Sequence, residues 1–199
     1  QFNINSYSHK IENKEKIFYV PFPFYDTINH ISDKYMYDLV FFGGYSDRRG
    51  KILNEISSRL NNKLRINFCF GLQGEERDQI LKQTKYVLNI HYYEDSQLEI
   101  ERFNTCLNFN CLIISEDSKN IDINKQNYKD VVSFFDYINI EKYSDNTINS
   151  IVKLINYNLQ KEVFYEKLKK INEYKNKLQQ YGCDHLYSVL LEQNLRPEI

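Results

Sequence analysis

Residues 37–44 read YDLVFFGG, an apolar run closed by two glycines. Such a run suits a strand buried on both faces, the habit of parallel sheets covered by helices. After it, Asp47 is placed to cap a helix running to about Asn61, with Ile52, Leu53, Ile56 and Leu60 on one face. LRINFCFG (64–71) reads as a second buried strand, and EERDQILKQTK (75–85) as a helix with acids in its first turn. YVLNIHYY (86–93) follows as a third strand. SQLEIERFNTCLNFN (96–110) reads as a third helix, capped by Ser96 with Glu99 three residues on. CLIISED (111–117) and VVSFFD (131–136) complete the set. Strand and helix alternating at this spacing predict an α/β fold: a Rossmann-like parallel sheet of about five strands with flanking helices and right-handed crossovers.

The flanks divide the chain into three parts. Residues 1–35 read as a linker or interdomain segment, polar at first and then KIFYVPFPF (16–24), where Pro21 and Pro23 exclude a central strand. Residues 36–145 hold the sheet, and 146–199 form a C-terminal helical extension. In that extension Ile148, Ile151, Val152, Ile155 and Leu159 keep helical spacing. A second stripe runs from Phe164 through Leu168, Ile171, Tyr174 and Leu178 to Tyr181, with Gly182 expected as the C-cap. This stripe is expected to cover part of the exposed cleft face. The first residue is Gln1, with no basic-then-apolar leader, so the sequence reads as a piece of a longer protein without a signal peptide.

Composition excludes several classes of function. With 26 basic and 27 acidic residues the net charge is −1, which gives no electrostatic reason to expect nucleic acid or an anionic membrane as partner. No apolar run reaches the roughly 18 residues that span a bilayer. Asn, Ile, Lys, Tyr and Phe supply 94 of 199 residues and Ala is absent, the mark of AT-rich coding. Cys69, Cys106, Cys111 and Cys183 match no disulfide or metal framework, and they read as reduced thiols in the cytoplasm.

Ligands of open parallel sheets bind beyond the carboxyl ends of the strands. Three loops lie there. Gly43-Gly44-Tyr45-Ser46-Asp47-Arg48-Arg49 offers close backbone approach, a helix N-terminus and two cations, which suits a phosphate; it also reads as a tight turn. His91-Tyr92-Tyr93-Glu94-Asp95-Ser96 reads equally as an anion and sugar site or as a capped turn with surface tyrosines. Ser115-Glu116-Asp117 ends the fourth strand. No G-x-S-x-G, HExxH or D-x-D motif occurs, and no metal site is expected.

Three stretches carry a resemblance: YDLVFFGGYSDRRGKIL (37–53), ERDQILKQTKYVLNIHYYED (76–95) and LEIERFNTCLNFNCLIISE (98–116). In order and spacing they resemble the C-terminal, donor-binding half of group 1 glycosyltransferases of the GT-B type, in a branch seen in large DNA viruses and some bacteria. The resemblance implies binding of a nucleoside diphosphate sugar and transfer of the sugar to an acceptor hydroxyl, with no further cofactor. It implies donor contacts from Gly43, Gly44, Arg48, Arg49, His91, Tyr92, Glu99, Arg102, Ser115 and Glu116. His91 and Glu94 are the candidates for a catalytic base. An acceptor-binding domain is expected upstream in the parent chain, and without it the fragment is expected to be inactive. A location in the host cytoplasm follows if the source is viral. Two positions depart from the family pattern: Thr105 stands where a ribose-holding glutamate is usual, and Asn110 where a helix-ending glycine is usual. The alternative is a non-catalytic α/β binding module derived from such an enzyme.

Overall fold

A computed structural model describes residues 35–119 and 125–192, with side chains to Lys177. The segment with Pro21 and Pro23, and the Cys183 thiol, lie outside the described residues. Five parallel strands form one sheet: β1 (Tyr37–Gly43), β2 (Ile66–Phe70), β3 (Thr84–Asn89), β4 (Leu112–Glu116) and β5 (Val132–Phe135). Their order is β2-β1-β3-β4-β5. The helices are α1 (Asp47–Arg59), α2 (Gly74–Leu81), α3 (Ile100–Asn108), the single-turn α4 (Lys125–Tyr128), α5 (Asp145–Asn158) and α6 (Lys161–Glu192). The Rossmann-like parallel sheet with flanking helices is therefore present as expected.

Register follows from burial. Val40 pairs with Asn67 on one side and Val87 on the other, and Ile114 lies between Leu88 and Ser133. β1, β3 and β4 are buried almost throughout. β2 is not: it is one of the two edge strands, half-buried along most of its length, with Phe70 exposed, whereas the other edge, β5, is mostly buried. An apolar run states that side chains are shed from water, not how many neighbouring strands it has. Leu39, Phe41, Ile52, Ile56, Leu88 and Phe103 form the middle of the core, and Ile148, Ile155, Phe164, Leu168 and Ile171 belong to the same cluster.

Several boundaries move for local reasons. Ser46, not Asp47, caps α1: its backbone is extended and its hydroxyl accepts from Arg49 N at 3.2 Å. α3 starts at Ile100 rather than Ser96, and its N-cap residue Glu99 makes no capping bond with its side chain. α6 continues through Gly182 to Glu192, so that glycine ends nothing. The described part of the α6 stripe also goes elsewhere than expected. Phe164 meets Tyr35 and Tyr86, and Lys175 donates to Asn110 Oδ1 at 2.9 Å, so α6 crosses the amino-terminal edge of the sheet, opposite Gly43 and Gly44.

Asn110 takes the left-handed conformation, φ 57°, after α3. Asn110 N donates to Leu107 O and Cys111 N to Cys106 O, the paired bonds of a Schellman cap. Asparagine thus replaces the usual glycine at little cost. Asn110→Gly should cost only the Lys175 bond to Oδ1, whereas Asn110→Val, which loses that bond and is strained at φ 57°, should cost about 1–2 kcal/mol more in urea unfolding. Equal midpoints for the two variants would refute this account of the cap.

Candidate functional site

The strand order creates one topological switch point. From β1 the chain turns towards β2, and from β3 towards β4. Right-handed crossovers then put α1 and α3 on opposite faces, and a crevice opens between the carboxyl ends of β1 and β3. Gly43 and Gly44 form one wall of this crevice and Ile90 to Tyr92 the other.

Gly43 has φ +147°, and a Cβ there would lie 3.1 Å from Arg102 Nη1 and Nη2 and from Arg49 Nη1. Two guanidinium groups therefore converge on the space that a side chain would fill. Arg49 donates from Nε to Ile90 O at 2.8 Å, and from Nη1 to Gly44 O at 3.1 Å. Its plane lies 5.2 Å from the Tyr92 ring, which in turn covers Gly44. Arg102 reaches back from α3 to the carbonyl of Phe42 and lies 4.8 Å from the Phe42 ring.

Glu99 sits between these cations. Its Oε1 is 3.1 Å from Arg49 Nη2 and its Oε2 is 2.5 Å from Arg102 Nε. His91 Nδ1 is 3.8 Å from Glu99 Oε1, within ion-pair range but beyond a hydrogen bond. Burial by itself would raise the Glu99 carboxyl, but His91, Arg102 and Arg49 more than offset it and hold it below the ordinary range. The crevice holds two guanidinium charges against one carboxylate, beside the N-terminus of α1. An excess of positive charge remains for an anion.

Adjacent arginines on a helix point about 100° apart, and that angle separates the expected basic pair. Arg49 turns towards the crevice walls, where it is 2% exposed against Tyr92, and Arg102, at 16%, is the more open of the two cations there. Arg48 turns under the loops: Nη1 donates to His91 O at 2.9 Å and Glu116 Oε2 at 3.0 Å, and Nη2 donates to Glu116 Oε1 and, at 2.7 Å, to Ile138 O. Glu116, fully buried, also accepts from His91 N at 2.9 Å and Ile138 N at 2.8 Å. The structure thus places Arg48 and Glu116 beneath the crevice, facing each other, and not on its surface. Ser115 is buried as well, accepting from Asn89 Nδ2 and donating to Glu116 O.

The candidate bases separate too. The His91 side chain is fully buried against Glu99, and among the described residues neither ring nitrogen has a hydrogen-bond partner. Glu94 accepts from Ile140 N at 3.4 Å, on the side of the loop after β5. Thr105 bonds its own helix at Glu101 O and brings no carboxylate. What sequence reasoning missed is the role of backbone carbonyls from Ile90, His91 and Ile138. The one usable signal was Glu116, a charge ending an apolar strand, which must find a cation if it is buried.

At the amino-terminal edge, Asp38 is bonded by Arg65 and Lys85. Burial opposes ionisation there, but these two cations hold the carboxyl far below the usual range. A carboxyl depressed on folding stabilises fully above its unfolded pKa, about 4, and loses that contribution as pH falls towards the folded value. Asp38 and Glu99 both act in this direction. The urea midpoint should fall between pH 5 and pH 3, and Asp38→Asn should flatten part of that slope. An unchanged slope in the variant would refute the assignment.

No protein-family profile matches the chain. Uncharacterized protein L140 of Acanthamoeba polyphaga mimivirus is 27% identical over 159 residues, covering 73% of this chain and 48% of that protein. Uncharacterized protein L137 of the same virus is 28% identical over 162 residues, covering 72% and 22%. The chain spans about half the length of the first relative and about a fifth of the second. Among solved structures, the crystal structure of the glycotransferase of kitacinnamycin aligns with a TM-score of 0.45 at 10% identity, over 86% of this chain and 46% of that one. No helix among the described residues is long and apolar enough to cross a membrane.

Proposed function

We propose that the crevice between β1 and β3 binds the diphosphate of a nucleoside diphosphate sugar, and that this chain is the donor-binding part of a GT-B glycosyltransferase. The observation that carries the reading is the convergence of Arg49 and Arg102 on Gly43, at the switch point and beside the N-terminus of α1. A diphosphate needs several fixed donors and a partly enclosed cationic wall, and these elements supply both. In transfer, charge builds on the leaving diphosphate, and preorganised guanidinium and amide donors act where it develops. Tyr92 would close the crevice over the phosphates, and Glu99 would give up part of its hold on the arginines as the ligand enters.

We assign the acceptor to a second domain, outside the half or so of protein L140 that this chain matches. Without it the chain binds donor but turns over slowly, because holding the acceptor hydroxyl in line supplies up to about 7–11 kcal/mol of the barrier. A second reading rests on Thr105, which offers the ribose no carboxylate: a non-catalytic binding module on the same fold.

Calorimetric titration with UDP-, GDP- and TDP-sugars tests both. Saturable binding is expected, weakened about 10- to 100-fold in Arg102→Ala, since a charge-assisted bond is worth roughly 1.5–3 kcal/mol. Silence across the panel at millimolar ligand would leave the non-catalytic module.

A further inference from the structure

We infer that Glu116, acting through Arg48, is a positioning residue that sets the distance between the two walls of the crevice. This rests on the reading that the crevice binds a diphosphate, and it removes Arg48 and Glu116 from the list of donor contacts. Four of the five N–H groups of Arg48 are taken by His91 O, the two Glu116 oxygens and Ile138 O. No hydrogen-bonding capacity beyond Nε is left for a phosphate, and the pair is buried. Its bonds run to two loops, those after β3 and β5, and tie both to the first turn of α1. Arg48 belongs to the first turn of α1, which continues directly from Gly43 and Gly44. The His91 peptide is held on both sides, its N–H by Glu116 and its C=O by Arg48. Ile138 N and O are held the same way, tying in the loop after β5.

His91 stands next to Tyr92, whose ring lies on Gly44 and Arg49. One carboxylate therefore fixes where the β3 wall stands relative to the β1 wall. Glutamine at 116 keeps the shape but loses the charge, and its amide group would confront the donors of Arg48 with donors of its own. The remaining neutral oxygen can serve only one of the His91 and Ile138 amides, and less strongly, so both peptides are held more loosely and Tyr92 loses its place.

The test uses the 15N-labelled chain with inorganic pyrophosphate as probe. In Glu116→Gln, the amide signals of His91 and Ile138 should move upfield. The signals of Gly43, Gly44 and Tyr92, which Glu116 does not touch, should move with them, and pyrophosphate should bind at least tenfold more weakly. Arg102→Ala should lose pyrophosphate while leaving the His91 and Ile138 signals in place. If Glu116→Gln moves only His91 and Ile138 and binds pyrophosphate within twofold of the wild type, the pair is a fold element alone and the inference is overturned. Should the wild type not bind pyrophosphate, the diphosphate reading fails separately. The positioning role is then decided by Gly43, Gly44 and Tyr92, whose unmoved signals would overturn it. Should Glu116→Gln not fold, hydrogen exchange on the wild type decides. His91 and Ile138 amides must be protected as strongly as those of β1, and exchange at exposed-loop rates would overturn the inference.

Discussion

Glu116→Ala should lower the free energy of unfolding by about 3–5 kcal/mol, the usual cost of removing one partner from a buried ion pair. The magnitude comes from what is left behind. Arg48 cannot follow its charge into water without pulling the first turn of α1 off the sheet, and its remaining acceptors are the carbonyls of His91 and Ile138. The amides of His91 and Ile138 lose their acceptor at the same time. Breaking the surface pair Lys119–Asp95 should leave stability almost unchanged, because water screens it. Urea unfolding of Glu116→Ala and Asp95→Ala checks both. A loss below about 1 kcal/mol in Glu116→Ala would mean that the pair adds nothing beyond what water would supply.

Gly43→Ala should act on both stability and binding. Its φ of +147° is costly for any L-residue, and the new methyl would lie 3.1 Å from both guanidinium groups. Backbone strain alone is worth about 1–3 kcal/mol. Displacing Arg49 and Arg102 should weaken pyrophosphate at least tenfold. Gly71→Ala is the control: its φ is +77°, yet a Cβ there meets nothing within 4 Å. It should show a stability cost with binding unchanged. Equal loss of binding in the two variants would indicate a global effect and refute the local argument.

The sheet was legible because parallel inner strands are continuously apolar, as YDLVFFG, YVLN and LIIS are. INFCF carries the same signal while lying at the edge, since composition does not report strand order. Ser96 and Glu99 match a capping pattern, which puts the onset of α3 too early, because the Glu99 carboxylate is engaged by arginines from two helices. Lys125–Tyr128 is a single turn, too short to show any period. At the site, the glycine turn and the loops were visible as motifs. Which arginine faces the crevice was not, because that depends on the phase of α1 against β3 and β4. The 68 positions between Arg48 and Glu116 put their pairing beyond any local pattern.

The strand order also bears on how the chain is made. β1 pairs with β2 on one side and with β3 on the other. During synthesis its second edge stays open after Gly43 until Thr84 has emerged, about 40 residues later, or roughly 2–8 s at ribosomal speeds of 5–20 residues per second. For that interval Leu39, Val40, Phe41 and Phe42 present an unpaired, strongly β-forming edge to every neighbouring nascent chain. Slower translation between codons 44 and 84 would lengthen the exposure. Yield in a foreign host should depend on elongation rate over that window, and on the chaperones that bind extended apolar segments, more than on the stability of the finished fold.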